Sequence, residues 1–194
     1  MDFTKVLVCF SAFLSILGAI AYIKDTFKGK TKPNRVSWFL WGTIPLIGTV
    51  AALEAKADPW ATVRIFLAGF LPLIVFIASF FNKRSYWKLT FFDWICLFLA
   101  ILATIFWAIL EEPKMAIFLA VIADAVASLP TVMKAWKMPE TETGSTYLIG
   151  FIAAILVIPS IPVWNIENSA FQIYLILVNF ILMFAVYRKR SKES

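Results

Sequence analysis

The chain has no histidine, only two cysteines, and charged residues at just 15% of its positions. Without histidine there is no Ser-His-Asp or Cys-His arrangement and no His-containing metal site. Cys9 and Cys96 stand singly in separate apolar runs, where a free cysteine behaves as a small hydrophobe. A glycine-rich phosphate loop of the form GxxxxGK is also absent. No remaining residue pattern invites catalysis, so neither enzymatic activity nor a cofactor is expected. The scarcity of charge excludes a broader class: with 61% apolar residues and a mean hydropathy of +0.84, 194 residues cannot furnish the polar surface of a soluble domain.

What the sequence does have is a series of apolar runs near the roughly 17 to 25 residues that cross a bilayer, separated by short charged connectors. They predict an all-α integral membrane protein with seven transmembrane helices, at about 6–23, 37–54, 63–81, 91–110, 115–134, 145–162 and 170–187. The runs are unbroken, whereas the wall of a membrane β-barrel alternates. Residues 1–194 therefore read as one transmembrane domain with no soluble module. The first run ends in a small-residue Ala-Ile-Ala, but Asp2 precedes it, it outlasts a signal-peptide core, and a basic connector follows. It is expected to stay as helix one.

A net charge of +6 would suggest nucleic acid in a soluble protein, yet its distribution gives another reading. Fourteen of the eighteen basic residues fall in the connectors after helices one, three and five and in the carboxyl tail, leaving Lys5, Lys56, Arg64 and Lys114 on the other side. By the positive-inside bias this puts the amino terminus outside and the carboxyl terminus in the cytoplasm, with the cell membrane as the expected location. The partners expected are the lipid bilayer and a small-molecule solute, not nucleic acid, with homo-oligomerisation left open.

An internal repeat is visible at an ungapped shift of 108 residues. It lays Ser37 on Ser145, Leu40 on Leu148, Gly42 on Gly150, Ile65 on Ile173 and Phe76 on Phe184. The same shift aligns helices one, two and three with five, six and seven. Helix four, 91–110, is left as a linker between repeat one (6–81) and repeat two (115–187), a 3+1+3 plan of two parallel three-helix repeats.

This plan resembles the SWEET sugar carriers and their PQ-loop relatives, in which the first helix of each repeat ends in a basic loop with a threonine or serine shortly before the second. "YIKDTFKGKTKPNRVSWFLW" from Tyr22 and "PTVMKAWKMPETETGSTYLIG" from Pro130 follow that pattern. Neither copy carries a Pro-Gln dipeptide: the first reads Tyr22-Ile23 and the second Pro130-Thr131. The family's asparagine on helices three and seven is matched by Asn179 alone, with Leu71 at the partner position. "NRVSWFLWG" is also similar to the Asn and Trp-x-x-Trp spacing of Pnu-type nicotinamide riboside carriers, which share the plan. The resemblance implies a carrier of a small polar solute working by alternating access, with prolines as rocking hinges. Pro45, Pro130 and Pro159 are the hinge candidates here. The rival readings are a non-transporting receptor on the same fold, as among KDEL receptor relatives, and a scaffold without a pocket.

The substrate candidates are Trp38, Trp41, Asp124, Ser128 and Asn179, which are expected to line a central pocket between the two bundles. Trp38 and Trp41 lie one turn apart on one face of helix two, either as interfacial anchors or as rings to stack on a sugar or base. Asp124 is the one carboxylate deep inside an apolar run, where a charge costs on the order of 3 kcal/mol. It faces either an interior cavity, with Ser128 a turn away, or an interhelix hydrogen bond. Asn179 admits the same two readings. Trp60, Trp87, Trp94, Trp107, Trp136 and Trp164 fall near predicted boundaries as anchors, and Glu54 with Arg64 forms a candidate pair across the connector between helices two and three.

Overall fold

The computed structural model describes residues 3–54, 59–85, 87–109, 113–161 and 163–190. Among them are seven α-helices: α1 (Phe3–Phe27), α2 (Arg35–Glu54), α3 (Pro59–Ala78), α4 (Phe91–Ile109), α5 (Pro113–Lys137), α6 (Gly144–Val157) and α7 (Ile166–Arg190). Three stretches, Phe3–Phe27, Phe118–Lys137 and Ser169–Arg188, are long and apolar enough to cross a membrane. The outer wall is greasy on every helix, with Phe13, Phe98, Phe118 and Phe184 each more than half exposed. A helical protein that presents such a surface is solvated by lipid tails. This is a helical membrane protein.

Helix ends are set by local chemistry. Gly29, at a φ of 71°, ends α1 in the left-handed conformation that glycine adopts freely, and its N–H donates to the Thr26 carbonyl. Asn34 caps α2, its Oδ1 accepting from the N–H groups of Val36 and Ser37. Thr90 and Asp93 form a reciprocal cap on α4: Asp93 Oδ2 accepts from the Thr90 N–H and hydroxyl, and Thr90 Oγ1 accepts from the Asp93 N–H. Pro45, Pro72 and Pro130 lie inside α2, α3 and α5. Pro159 does not lie inside a helix as expected: α6 stops at Val157, five residues short of the predicted end, and Pro159 falls in the 3-10 turn Ile158–Ser160. A ring without an N–H cannot extend the α-helical ladder there.

Close packing follows the small residues. A Cβ at Gly69 of α3 would come within 2.7 Å of the Gly42 carbonyl, so α2 and α3 touch backbone to backbone. On α6, a Cβ at Gly150 would collide with the Asn179 amide of α7. The seam of α1 with α6 is tied by Ser11 donating to the Ala153 carbonyl (2.9 Å) and Thr146 donating to that of Gly18 (2.8 Å). The third helix of the chain packs on the first and the second; α7 likewise packs on α5 and α6. Across the molecule α1 meets α6, α2 meets α5, and α4 lies against α5 and α2.

The connectors after α1, α3 and α5 gather at one end. Asn82 donates to the carbonyls of Thr26 and Phe27, and the Lys32 N–H donates to the Thr141 carbonyl. This is the basic end of the molecule.

Candidate functional site

The polar residues of α5 recur at helical spacing. Asp124, Ser128, Thr131 and Lys134 follow at steps of four, three and three, so they share one face, and all four are buried. Asp124 is 4% exposed and forms no ion pair among the described residues. Tyr174 of α7 turns its hydroxyl toward Asp124 and Ser128, without reaching hydrogen-bonding geometry with any group among the described residues. Ser128 instead donates back to the Ala125 carbonyl of its own helix.

The α2 side contributes two tryptophans. Trp38 is only 5% exposed, its ring 4.5 Å from that of Tyr22 and edge-on to Trp41 at 5.3 Å. Interfacial anchoring is thereby overturned for Trp38, which is a core residue. Trp41, half-buried, packs against both hydrophobic clusters, one containing Trp38 and Tyr147, the other Ala123 and Ala127 beside Asp124. Tyr174 packs on the first of these. The Trp38 Nε1, Ser37 Oγ, Thr131 Oγ1 and Tyr174 Oη atoms are buried with no hydrogen-bond partner among the described residues. Each such group costs about 1–3 kcal/mol unless something polar meets it.

Toward the basic end the stripe terminates in a buried ion pair. Lys134 Nζ lies 2.5 Å from Glu142 Oε1, both side chains essentially without solvent exposure. Tyr22 and Tyr147 each donate to Glu142 Oε2 at 2.7 Å, and Lys134 also donates to the Lys32 carbonyl. A buried carboxylate needs this degree of compensation to remain charged. Beside it Asn34 donates to Asp93 (2.5 Å), joining the caps of α2 and α4, and Thr143 donates to Asp25 (3.0 Å). Arg35 donates to the Ser79 hydroxyl and carbonyl, fixing the start of α2 to the end of α3.

Two cavities open at this end. One of about 470 Å³ is lined by residues including Asp25, Lys30, Glu140, Glu142, Thr143 and Tyr187. The other, about 270 Å³, lies between α4 and α5 and includes Trp87, Asp93, Met133 and Lys137. Neither is lined by Trp41, Asp124, Ser128 or Asn179.

No protein family, curated protein or solved structure matches this chain. The site therefore has to be read from its own geometry. Trp41 reaches the α5 face through the cluster of Ala123 and Ala127, whereas Trp38 packs on Tyr22 of α1, and Asp124 and Ser128 face Tyr174 of α7. Asn179 is placed differently, at the crossing of α6 and α7, its Nδ2 donating to the Leu175 carbonyl and its Oδ1 filling the room left by Gly150. Trp94, Trp136 and Trp164 are about half exposed or more, as anchors are. The side chains of Glu54, Arg64, Trp60 and Trp107 lie outside the described residues.

Sequence reasoning missed Lys134, Glu142, Tyr22, Tyr147 and Tyr174. Lys134 was counted among the topology-setting charges of a connector, although its spacing from Asp124 already put it on the buried face. For Glu142, in a polar loop 120 residues from Tyr22, no local signal existed.

Proposed function

We propose that the chain is a membrane carrier that moves a small polar solute by alternating access, on the SWEET-like plan of two parallel three-helix repeats joined by α4. The observation that carries the reading is the buried polar column of α5 and α2, whose hydroxyl and indole groups lack partners among the described residues, ending in a closure at the basic end. Unsatisfied polar groups at this depth are retained where a polar solute or water can meet them.

The packing supports two repeats. In each half the third helix bridges the first and second, and the halves meet reciprocally, first helix against second, as α1 with α6 and α2 with α5. Gly42 and Gly150, equivalent under the 108-residue shift, both let the second helix approach the third closely.

At the basic end several bonds join the halves: Tyr22 to Glu142, Lys134 to the Lys32 carbonyl, the Lys32 N–H to Thr141, and Thr143 to Asp25. Opening that end means separating these partners, with Pro45 and Pro130 as the bending points. The orientation proposed is amino terminus outside and basic end in the cytoplasm, in the cell membrane, with all seven helices spanning.

A scaffold on the same fold is the second reading, favoured by the close seam of small residues between α1 and α6, around Gly18, Ala19 and Ala153. Uptake into proteoliposomes decides. A carrier shows saturable, counterflow-stimulated uptake of some solute from a panel of sugars, nucleosides, vitamins and amino acids, and Trp41→Ala weakens its binding. Failure of every solute to shift thermal stability or enter the vesicles overturns the carrier reading and leaves the scaffold.

A further inference from the structure

The larger cavity of the basic end lies on the seam between the two halves. The end of α1 and its connector contribute Asp25, Lys30 and Thr31, and the connector into α6 with its first residues contributes Glu140, Thr143 and Ser145. At about 470 Å³ it has room for a small metabolite, and its lining is mainly polar.

The walls are held before any ligand arrives. The Thr143 hydroxyl donates to Asp25 Oδ2 (3.0 Å), the Lys30 N–H to the Asp25 carbonyl (2.9 Å) and the Lys32 N–H to the Thr141 carbonyl (3.0 Å). Gly144 lets α7 close in: a Cβ there would come within 2.9 Å of the Tyr187 ring, so that ring is seated against the start of α6. A preformed cavity spends less of its binding energy on ordering itself.

Four charged side chains line this cavity, and they do not cancel as a set. Glu142 is committed to Lys134. Asp25, Lys30 and Glu140 form no ion pair among the described residues, so charges of both signs share one cavity without being bonded to each other. A purely cationic ligand leaves Lys30 opposed to it, and a purely anionic one meets two carboxylates. A molecule with both charges can set each against its opposite. The hydroxyls of Thr31 and Ser145 add groups that donate or accept.

We propose that this cavity binds a small zwitterion of the amino-acid type, its ammonium at Asp25 and Glu140 and its carboxylate at Lys30. Such a ligand bridges the two halves, because its partners come from both. Binding does not depend on transport; on the carrier reading above, on which this last step rests, the zwitterion is the solute held at the basic end.

The test uses the full-length protein in detergent, with L-serine and L-glutamine as probes. Beside them stand the molecules that keep a single charge: ethanolamine and hydroxypropionate for serine, aminobutyramide and glutaramate for glutamine. At least one amino acid is expected to bind, by thermal-shift titration, about tenfold or more tightly than either of its singly charged counterparts. Lys30→Met should remove the preference over the amine and Lys30→Arg should keep it, while Glu140→Gln should weaken the amino acid and the amine and spare the acid. Lys30 and Glu140 are exposed, so the ligand-free melting point should not move in these variants. Absence of binding by both amino acids, equal binding of a singly charged counterpart, or indifference to Lys30→Met and Glu140→Gln overturns the assignment. Uptake into proteoliposomes separates the two readings. An amino acid that binds here yet never crosses supports the site and refutes the carrier, and a transported solute of another class, with no amino acid bound, leaves the carrier and refutes the site.

Discussion

Replacing Lys134 with methionine removes the ammonium from the basic-end closure and leaves Glu142 buried with only its two tyrosine donors. Breaking a buried pair by deleting one partner costs about 3–5 kcal/mol, because the remaining charge is uncompensated. Two charge-assisted hydrogen bonds, each worth about 1.5–3 kcal/mol, still hold the carboxylate here, so the loss should fall near the lower end, about 3 kcal/mol. Glu142→Gln in the same chain removes the stranded charge while keeping an oxygen for the Tyr22 and Tyr147 hydroxyls. The double variant should therefore recover roughly 2 kcal/mol of that loss. The assay is a double-mutant cycle read by denaturant unfolding in detergent micelles, with Lys88→Met, an exposed lysine of the same end, as control. Additive effects, or a Lys134→Met cost under about 1 kcal/mol, would show that water reaches the pair and that no sealed closure exists there.

Trp38→Ala should destabilise by about 3–5 kcal/mol in the same unfolding assay, as a buried aromatic does, whereas a lipid-facing anchor would cost far less. Gly150→Ala should cost about 1–3 kcal/mol through collision with Asn179, and Asn179→Ala introduced alongside should return most of it; an unrelieved loss would place the strain elsewhere. In a variant lacking Cys9 and Cys96, a cysteine at Ala57 should react with an impermeant maleimide applied to intact cells and one at Lys28 should not. The opposite labelling reverses the proposed orientation.

Much of the fold was legible because it depends on properties local in the chain. Runs of apolar residues long enough to span a bilayer, with basic connectors between them, fixed the number of helices and their ends to within a few residues, since lipid accepts a backbone only when its hydrogen bonds are closed within the segment. The caps, Asn34 on α2 and Thr90 with Asp93 on α4, are equally local, since each acts within one turn of the helix it starts. Asp124 stood out because a carboxylate in an apolar run is costly wherever the helix turns.

What the tertiary structure alone decided was which faces meet. Trp38, at the edge of its helix, has the same sequence context whether it faces headgroups or the core, and the approach of Tyr22 from α1 buried it. Lys134 belongs by sequence to a basic connector, yet Glu142, Tyr22 and Tyr147 draw it inside. Their separation along the chain, up to 120 residues, places that choice beyond any local pattern. Asn179 was chosen by its helix and claimed by its neighbour: Gly150 leaves a space on α6 that only the docking of α7 fills. Local hydrophobicity and charge determine that a segment becomes a spanning helix; the pairing of a buried charge depends on the rotation and depth at which distant helices pack, and those are settled by the whole assembly at once.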